Sequence, residues 1–582
     1  MSRYRDTIRT ERWRLRLVLG VMVVGAGLLT IRALYMQVLD NGFLRGQGDA
    51  RHLRTVTLQA HRGMIQDRHG EPLAISTPVD SVWANPAELL AAGNKLPRLA
   101  RLMNMDVQLL RLRLQQRSRR EFVFLKRHIN PDLARQIMAL ELPGVALQRE
   151  YRRYYPAGEV AAHVLGFTNV DDSGQEGAEL AYDRVLAGTP GRRRVIKDRY
   201  GHIVEDVEGI REPIPGSDLR LSIDRDIQYL AYRELKAAVG RFKARSGSVV
   251  VLDVRNGEVL AMVNQPSFNP NNRISLTPDK LRNRAVTDLF EPGSTIKPFT
   301  IAAALESGQY RPQSRIDTSP GQFRIGHAVI RDKHDYGVID LTTVLQKSSN
   351  VGVSKVSLSL EPRRMWNMLS RVGFGTPTQS GLPGEMGGEL SDYASWREVD
   401  RATVAYGYGL SVTPLQLARS YSILANRGHM VPVSMVPVGH VASVEQVLSS
   451  TTAQQLVAMM ESVMSEGGTG TLATVAGYRV SGKTGTVQKF SGGEYSENYV
   501  ALFAGIAPAS NPRLVAVVVI DEPGDEEYYG GQVAAPVFSK VMAGALRIMG
   551  VSPDDVLRQE QGPAAVDGRG LMKVAAARRR PL

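Results

Sequence analysis

A chain of 582 residues, 43% of them hydrophobic, has room for two to four domains at roughly 150 residues each and is too apolar to be disordered throughout. The absence of cysteine excludes disulfides, thiolate metal sites and a cysteine nucleophile, while permitting an oxidising compartment. The net charge of +14 favours anionic partners such as membrane surfaces or acidic polymers. No zinc-finger spacing or basic segment interleaved with aromatics accompanies that charge, so no nucleic acid is expected as a partner.

Residues 3–16 carry six arginines (Arg3, Arg5, Arg9, Arg12, Arg14 and Arg16) against Asp6 and Glu11. An uncharged run follows at 17–31 and resumes after Arg32 as far as Leu39. The first run alone falls short of the roughly 20 residues that span a bilayer core. Counted through Arg32, whose stem can snorkel to the interface, residues 17–39 supply 23, which is enough. No clear A-x-A site follows, which disfavours a cleaved secretory signal. The positive-inside rule then places residues 1–16 in the cytoplasm and the chain beyond about residue 39 on the other side. Further basic clusters lie at 111–120, 192–199 and 578–580.

Beyond the anchor, residues 62–74 have the rhythm of strand, turn and strand, with Asp67 to Gly70 making the turn. Residues 94–116 show helical spacing, and 176–188 read as a helix ended by Gly188. The Pro215–Gly216 turn leads into a strand, and a long helix is expected from near Asp224. Two β-rich runs between 246 and 265 are joined by Asn256–Gly257, a strong hairpin signal. A helix is then expected from Ser294 to Gly308, two apolar strands near 498–508 and 513–523, and a last helix over 530–550. A hairpin, many helices and then more strands predict an α+β layered domain whose sheet is assembled from both ends of the segment. The tail at 551–582 is expected to be disordered.

Chemistry concentrates at three short motifs. Ser294 is the one serine in the chain with a lysine, Lys297, three residues later, a spacing that places both on one helix face. Gly293 allows a sharp entry, Pro298 is tolerable only near a helix start, and the helix dipole favours negative charge developing beside Ser294. Ser348 and Asn350 form a Ser-x-Asn pattern 54 residues on (348 − 294), and Lys483-Thr484-Gly485-Thr486 follows 135 residues later (483 − 348). Singly, each has an ordinary reading as a cap, a turn or a solvated lysine. His61, His163 and His334 stand in no ligand-spaced cluster, so no metal and no cofactor is expected.

In this order and spacing the motifs resemble those of the penicillin-recognising serine acyl-transferases. With "RGMIQDRHGEPLA", "RRYYPAGEVAAHVLGF", "GQEGAELAYD", "FEPGSTIKPF", "KSSNVG", "AYGYGLSVTPLQLA" and "GGQVAAPVF", the chain up to about residue 550 is similar to class B penicillin-binding proteins, and most of all to the division-type (FtsI-like) D,D-transpeptidases. The resemblance implies an antiparallel sheet sandwiched by helices over 217–550, preceded by an α+β pedestal (dimerisation-type) domain over 40–216 and one transmembrane helix.

It also implies roles. Ser294 is the nucleophile on the penultimate D-Ala carbonyl of a stem peptide, Lys297 its base and Ser348 a proton relay. A free lysine titrates near ~10.4, so Lys297 has to be depressed by burial and a neighbouring cation, for which Lys483 is the candidate. Asn350 holds the substrate amide. Lys483, Thr484 and Thr486 bind the terminal carboxylate or the peptide backbone, with Gly485 allowing a peptide to add to an edge strand. The amides of Ser294 and Thr486 form the oxyanion hole. "AYGYGLSVTPLQLA" is expected as a loop leading into a helix that borders the site. The implied partners are stem peptides ending in D-Ala-D-Ala, β-lactam antibiotics, a SEDS-type (FtsW-like) glycosyltransferase with other divisome membrane proteins, and the inner membrane. A D,D-carboxypeptidase or other hydrolase and a non-catalytic β-lactam-binding division scaffold are the alternatives.

Overall fold

The computed structural model describes residues 3–39, 53–197, 203–274, 276–440, 444–491, 493–524 and 527–555. Most of the expected disordered tail, 556–582, lies outside the described residues. The N-terminal helix covers Arg3–Leu34 and runs on as a wider turn over Tyr35–Leu39. Its stretch Arg12–Gln37 is long and apolar enough to cross a membrane, and its apolar side chains are exposed on every side. A helix apolar all round needs an apolar surrounding.

The chain forms two compact units that interleave in sequence. One comprises Met1–His61, Thr77–Arg152 and Gly188–Gly216. In it Val82, Leu89, Leu99, Leu110, Leu114, Ile129 and Ile137 share a core. The helical stretch expected over 94–116 is two helices, Leu96–Met103 and Val107–Gln115. The break has a local cause: Asn104 adopts a left-handed conformation (φ 53°), which asparagine tolerates, and Asp106 caps the second helix by accepting from the Leu109 N–H. A separate three-stranded sheet pairs Leu53–Leu58 with Gly191–Lys197 and that strand with Ile203–Arg211.

The second unit comprises Arg62–Ser76, Arg153–Ala187 and Ser217–Leu582. The helix expected at 176–188 is two short turns of helix, Gly177–Ala181 and Asp183–Leu186. Here lies a buried ionic cluster. Arg62 Nε sits 2.8 Å from Glu179 Oε2 and Arg62 Nη1 2.7 Å from Asp183 Oδ1, while Arg153 Nε reaches Glu179 Oε1 at 2.6 Å. Burial by itself lowers the Arg62 pKa, but Glu179 and Asp183 outweigh it, and the net direction is upward.

In chain order the elements that frame the site are α1 (Arg225–Arg241), β1 (Ser246–Asp253), β2 (Val259–Gln265), α2 (Lys297–Glu306), α3 (Leu341–Lys347), α4 (Asn350–Ser359), α5 (Pro414–Ala425), α6 (Ser450–Glu461), β3 (Ser481–Ser491), β4 (Glu494–Ala507), β5 (Leu514–Asp521) and α7 (Ala535–Ile548). The long helix starts where its cap predicts: the Asp224 carboxylate accepts from the Asp226 and Ile227 N–H groups. The Asn256–Gly257 hairpin joins β1 to β2, with Gly257 at φ 72°. The sheet order is β2-β1-β5-β4-β3, antiparallel throughout, so early and late strands meet at its centre.

Strand alternation sends successive residues to opposite faces. Val250, Leu252, Leu502, Ala504, Val515 and Val517 pack in one core with residues of α2, α4, α5 and α6. Val249, Val251, Phe503, Ala516 and Val518 pack in the other with α1 and α7. Helices therefore cover both faces, and β3 is left as a sheet edge.

Candidate active site

Ser294 stands in a 3-10 turn, Gly293–Ile296, that feeds directly into α2. The helix proper begins at Lys297 rather than at Ser294. This turn is tightly built. Gly293 has φ 52°, and a Cβ there would come within 2.3 Å of Val487 Cγ2 on β3. The Gly293 N–H donates to the Gly407 carbonyl at 3.1 Å, and a Cβ on Gly407 would strike the Gly293 backbone at 2.1 Å. Tyr421 of α5 donates to the Thr295 carbonyl at 2.8 Å, and Thr300 Oγ1 donates to the Ala405 carbonyl at 2.7 Å. The Ala405 and Gly407 carbonyls and the Tyr421 hydroxyl therefore hold the Ser294 turn and the start of α2, and α5 begins at a Thr413–Gln416 capping box.

Lys297 is fully buried, with its Nζ 2.5 Å from the Ser348 carbonyl, 2.8 Å from Asn350 Oδ1 and 3.1 Å from Ser348 Oγ. Lys483 is equally buried and donates to Ser348 Oγ at 3.0 Å and to the Thr484 carbonyl at 3.2 Å. One hydroxyl thus lies between two amines. Among the described residues neither lysine is in a salt bridge with a carboxylate, and Ser294 Oγ makes no hydrogen bond. Burial, then repulsion from Lys483, drives the Lys297 pKa well below its ordinary value, with Asp332 opposing the fall. Burial brings Lys483 down to about 7. A neutral amine has a lone pair free to accept a proton.

Ser348 is placed between the amines by a strained backbone. It ends α3 in the left-handed region (φ 59°, ψ 42°), which a non-glycine residue adopts at a cost of about 1–3 kcal/mol and which surrounding contacts must over-determine. Asp332, after the strand Ala328–Arg331, supplies those contacts. Its carboxylate accepts from the Asn350 N–H (2.5 Å), the Val351 N–H (3.0 Å) and the Ser349 hydroxyl, while Ser349 caps α4 by accepting from the Gly352 N–H at 2.8 Å. The sequence motifs do not single out Asp332 or Gly407. Asp332 has no spacing relation to a motif, and Gly407 lay in a segment read only as a bordering loop.

Lys483 to Thr486 lie on the edge strand β3. Alternation points Lys483 and Gly485 toward the Ser294 side, where a Cβ on Gly485 would meet Thr295 Cγ2 at 3.1 Å. Thr484 and Thr486 point the other way. The Thr484 hydroxyl bonds Thr469 Oγ1 at 2.7 Å, and Thr486 Oγ1 accepts from the Gly530 N–H at 2.9 Å, which leaves the Thr486 proton available to a ligand. A serine in a turn that feeds a helix, two buried amines sharing a second serine's hydroxyl and an open edge strand are the arrangement of a serine acyl-transferase of the penicillin-recognising type.

The comparisons with known proteins agree. Residues 247–543 match the family described as "Penicillin binding protein transpeptidase domain" and residues 57–221 the "Penicillin-binding Protein dimerisation domain". The chain is 44% identical over 548 residues to the peptidoglycan D,D-transpeptidase FtsI of Escherichia coli K12, covering 93% of each chain. It is 42% identical over 550 residues to the probable peptidoglycan D,D-transpeptidase PenA of Neisseria meningitidis serogroup A, covering 94% of each. Among solved structures it is similar to the transpeptidase domain of Burkholderia pseudomallei penicillin-binding protein 3 (TM-score 0.53, 42% identity, 57% of this chain and 97% of that one). It is also similar to a peptidoglycan synthetase from Bifidobacterium adolescentis (TM-score 0.69, 26% identity, 87% and 98%). The chain belongs to the class B penicillin-binding proteins of the FtsI kind, and its activity is that of a peptidoglycan D,D-transpeptidase.

Proposed function

We propose that Ser294 Oγ attacks the carbonyl of the penultimate D-Ala of a stem peptide, forming an ester and releasing the terminal D-Ala. Neutral Lys297 takes the hydroxyl proton, and Ser348 relays a proton to the departing nitrogen. The N–H groups at the start of a helical turn lack intrahelical partners, and that of Ser294, with that of Thr486, would stabilise the oxyanion. Lys483, Thr484 and Thr486 hold the terminal carboxylate or peptide backbone, Asn350 the substrate amide, and Gly485 lets the peptide lie against β3. An amine of a neighbouring stem peptide then resolves the ester, and β-lactams acylate the same serine. The observation that carries this reading is the Ser348 hydroxyl held 3.1 and 3.0 Å from two buried amines.

We infer further that the Arg12–Gln37 helix is an inner-membrane anchor with the arginine-rich end in the cytoplasm and the catalytic unit in the periplasm. There it would crosslink septal wall beside a SEDS-type polymerase and other divisome membrane proteins. The charge asymmetry around the helix and the likeness to FtsI support this placement.

Mass spectrometry after exposure to a penicillin tests the catalytic assignment. A stable adduct of the drug's mass is expected on the Ser294 peptide and none in Ser294→Ala. An adduct on another residue would overturn it.

A further inference from the structure

Asp332 ties the Ser348–Asn350 rim of the cleft together, and the next residue, Lys333, reaches toward the opposite rim. Its ammonium lies 5.3 Å from the centroid of the Tyr529 ring. Tyr529 immediately precedes Gly530, whose N–H bonds the Thr486 hydroxyl. Tyr529 is also the end of a stack of three rings: Tyr499 on Tyr528 at 4.2 Å and Tyr528 on Tyr529 at 4.6 Å. A cation therefore sits at the mouth of the cleft, between the two motifs that flank the nucleophile.

That cation is available. Lys333 is exposed, and among the described residues it has no hydrogen bond and no salt bridge. Its nearest acids in sequence are engaged elsewhere, Asp332 on the Asn350 and Val351 amides and Asp335 on the Gly337 amide. An ammonium over an aromatic face at an exposed site is held only weakly, so it is positioned yet free to exchange its partner for an anion. Lys297 and Lys483, by contrast, are buried on uncharged acceptors inside the site.

We propose that Lys333 is a specificity-determining residue that pairs with a carboxylate of the donor stem peptide upstream of its two D-alanines. A stem peptide lying along β3 extends away from Ser294 by about 3.3 Å per residue, so residues before the D-alanine pair leave the cleft through this mouth. Lys333 then meets acidic side groups there and selects them over amidated ones. The inference rests on the D,D-transpeptidase reading.

The test uses full-length protein in detergent and two thioester donors that differ only in whether the residue preceding the D-alanines carries a free carboxylate or its amide. The wild type should show a lower KM for the carboxylate donor. Lys333→Met should raise that KM about two- to fivefold, Lys333→Glu further, and Lys333→Arg by less than twofold, all with kcat unchanged. The amide donor should be indifferent to every substitution, and added salt should erase the wild-type preference. Equal KM values for the two donors in the wild type, or a preference kept in Lys333→Met, would overturn the proposal. Labelling of Ser294 by a penicillin runs in parallel: its loss in the wild type would instead indict the catalytic reading.

Discussion

Two pairs of buried cations occupy the catalytic unit and are treated in opposite ways. Arg62 and Arg153 each rest on Glu179, and Arg62 also on Asp183. Lys297 and Lys483 are buried as deeply but face only hydroxyl, carbonyl and amide oxygens. Paired guanidinium groups stay charged and act as internal struts. Buried ammonium groups without a carboxylate ion pair cannot keep their charge at ordinary cost, so burial lowers the pKa of both lysines, that of Lys483 to about 7. Among these four buried cations, a carboxylate ion pair accompanies both guanidinium groups and neither amine.

The sharpest way to break this comparison is to remove one member of each pair. Lys297→Met should lower the rate of penicillin acylation about 10²–10⁴-fold while the melting temperature stays near that of the wild type. Acylation is followed with a fluorescent penicillin and melting by calorimetry, and a collapse of the fold would contradict the contrast. Arg62→Met should do the reverse. It leaves Glu179 and Asp183 with less compensation and should cost about 3–5 kcal/mol of stability in denaturant titration, with acylation per folded molecule unchanged.

A smaller effect sharpens the lysine side. The folded pKa of Lys483 is about 7, below the ordinary value near ~10.4 of an unfolded chain. Between those values the unfolded chain binds more protons, so the contribution of this group to unfolding free energy rises with pH, by up to about 1.4 kcal/mol per unit, and is flat below about pH 7. Lys483→Met should remove that slope when stabilities at pH 7, 8 and 9 are compared with the wild type. Identical slopes would mean that Lys483 remains charged in the fold.

Much of the site was legible because its signals are local. The Ser294–Lys297 spacing, the Asn256–Gly257 turn and the Asp224 cap each depend on a few adjacent residues, and the resemblance joined the three motifs into one reading. Two details differed for local reasons. Asn104 splits one expected helix, and Ser294 belongs to a 3-10 turn ahead of the helix that starts at Lys297. Asp332 and Gly407 escaped because each acts through backbone amides or carbonyls of a segment distant in sequence, which no side-chain pattern announces.

Sequence alone therefore determined which residues are the candidates for chemistry and where a membrane-length apolar helix lies. Tertiary structure decided what state those residues are in. The lysines of "GSTIKPF" and "SGKTGT" read as ordinary lysines in the chain. Only the packing of β3 against the Ser294 turn and the α3–α4 junction buries both amines around the Ser348 hydroxyl without a carboxylate. Electrostatic energy depends on burial and on neighbours in space, and neither is a property of the local sequence.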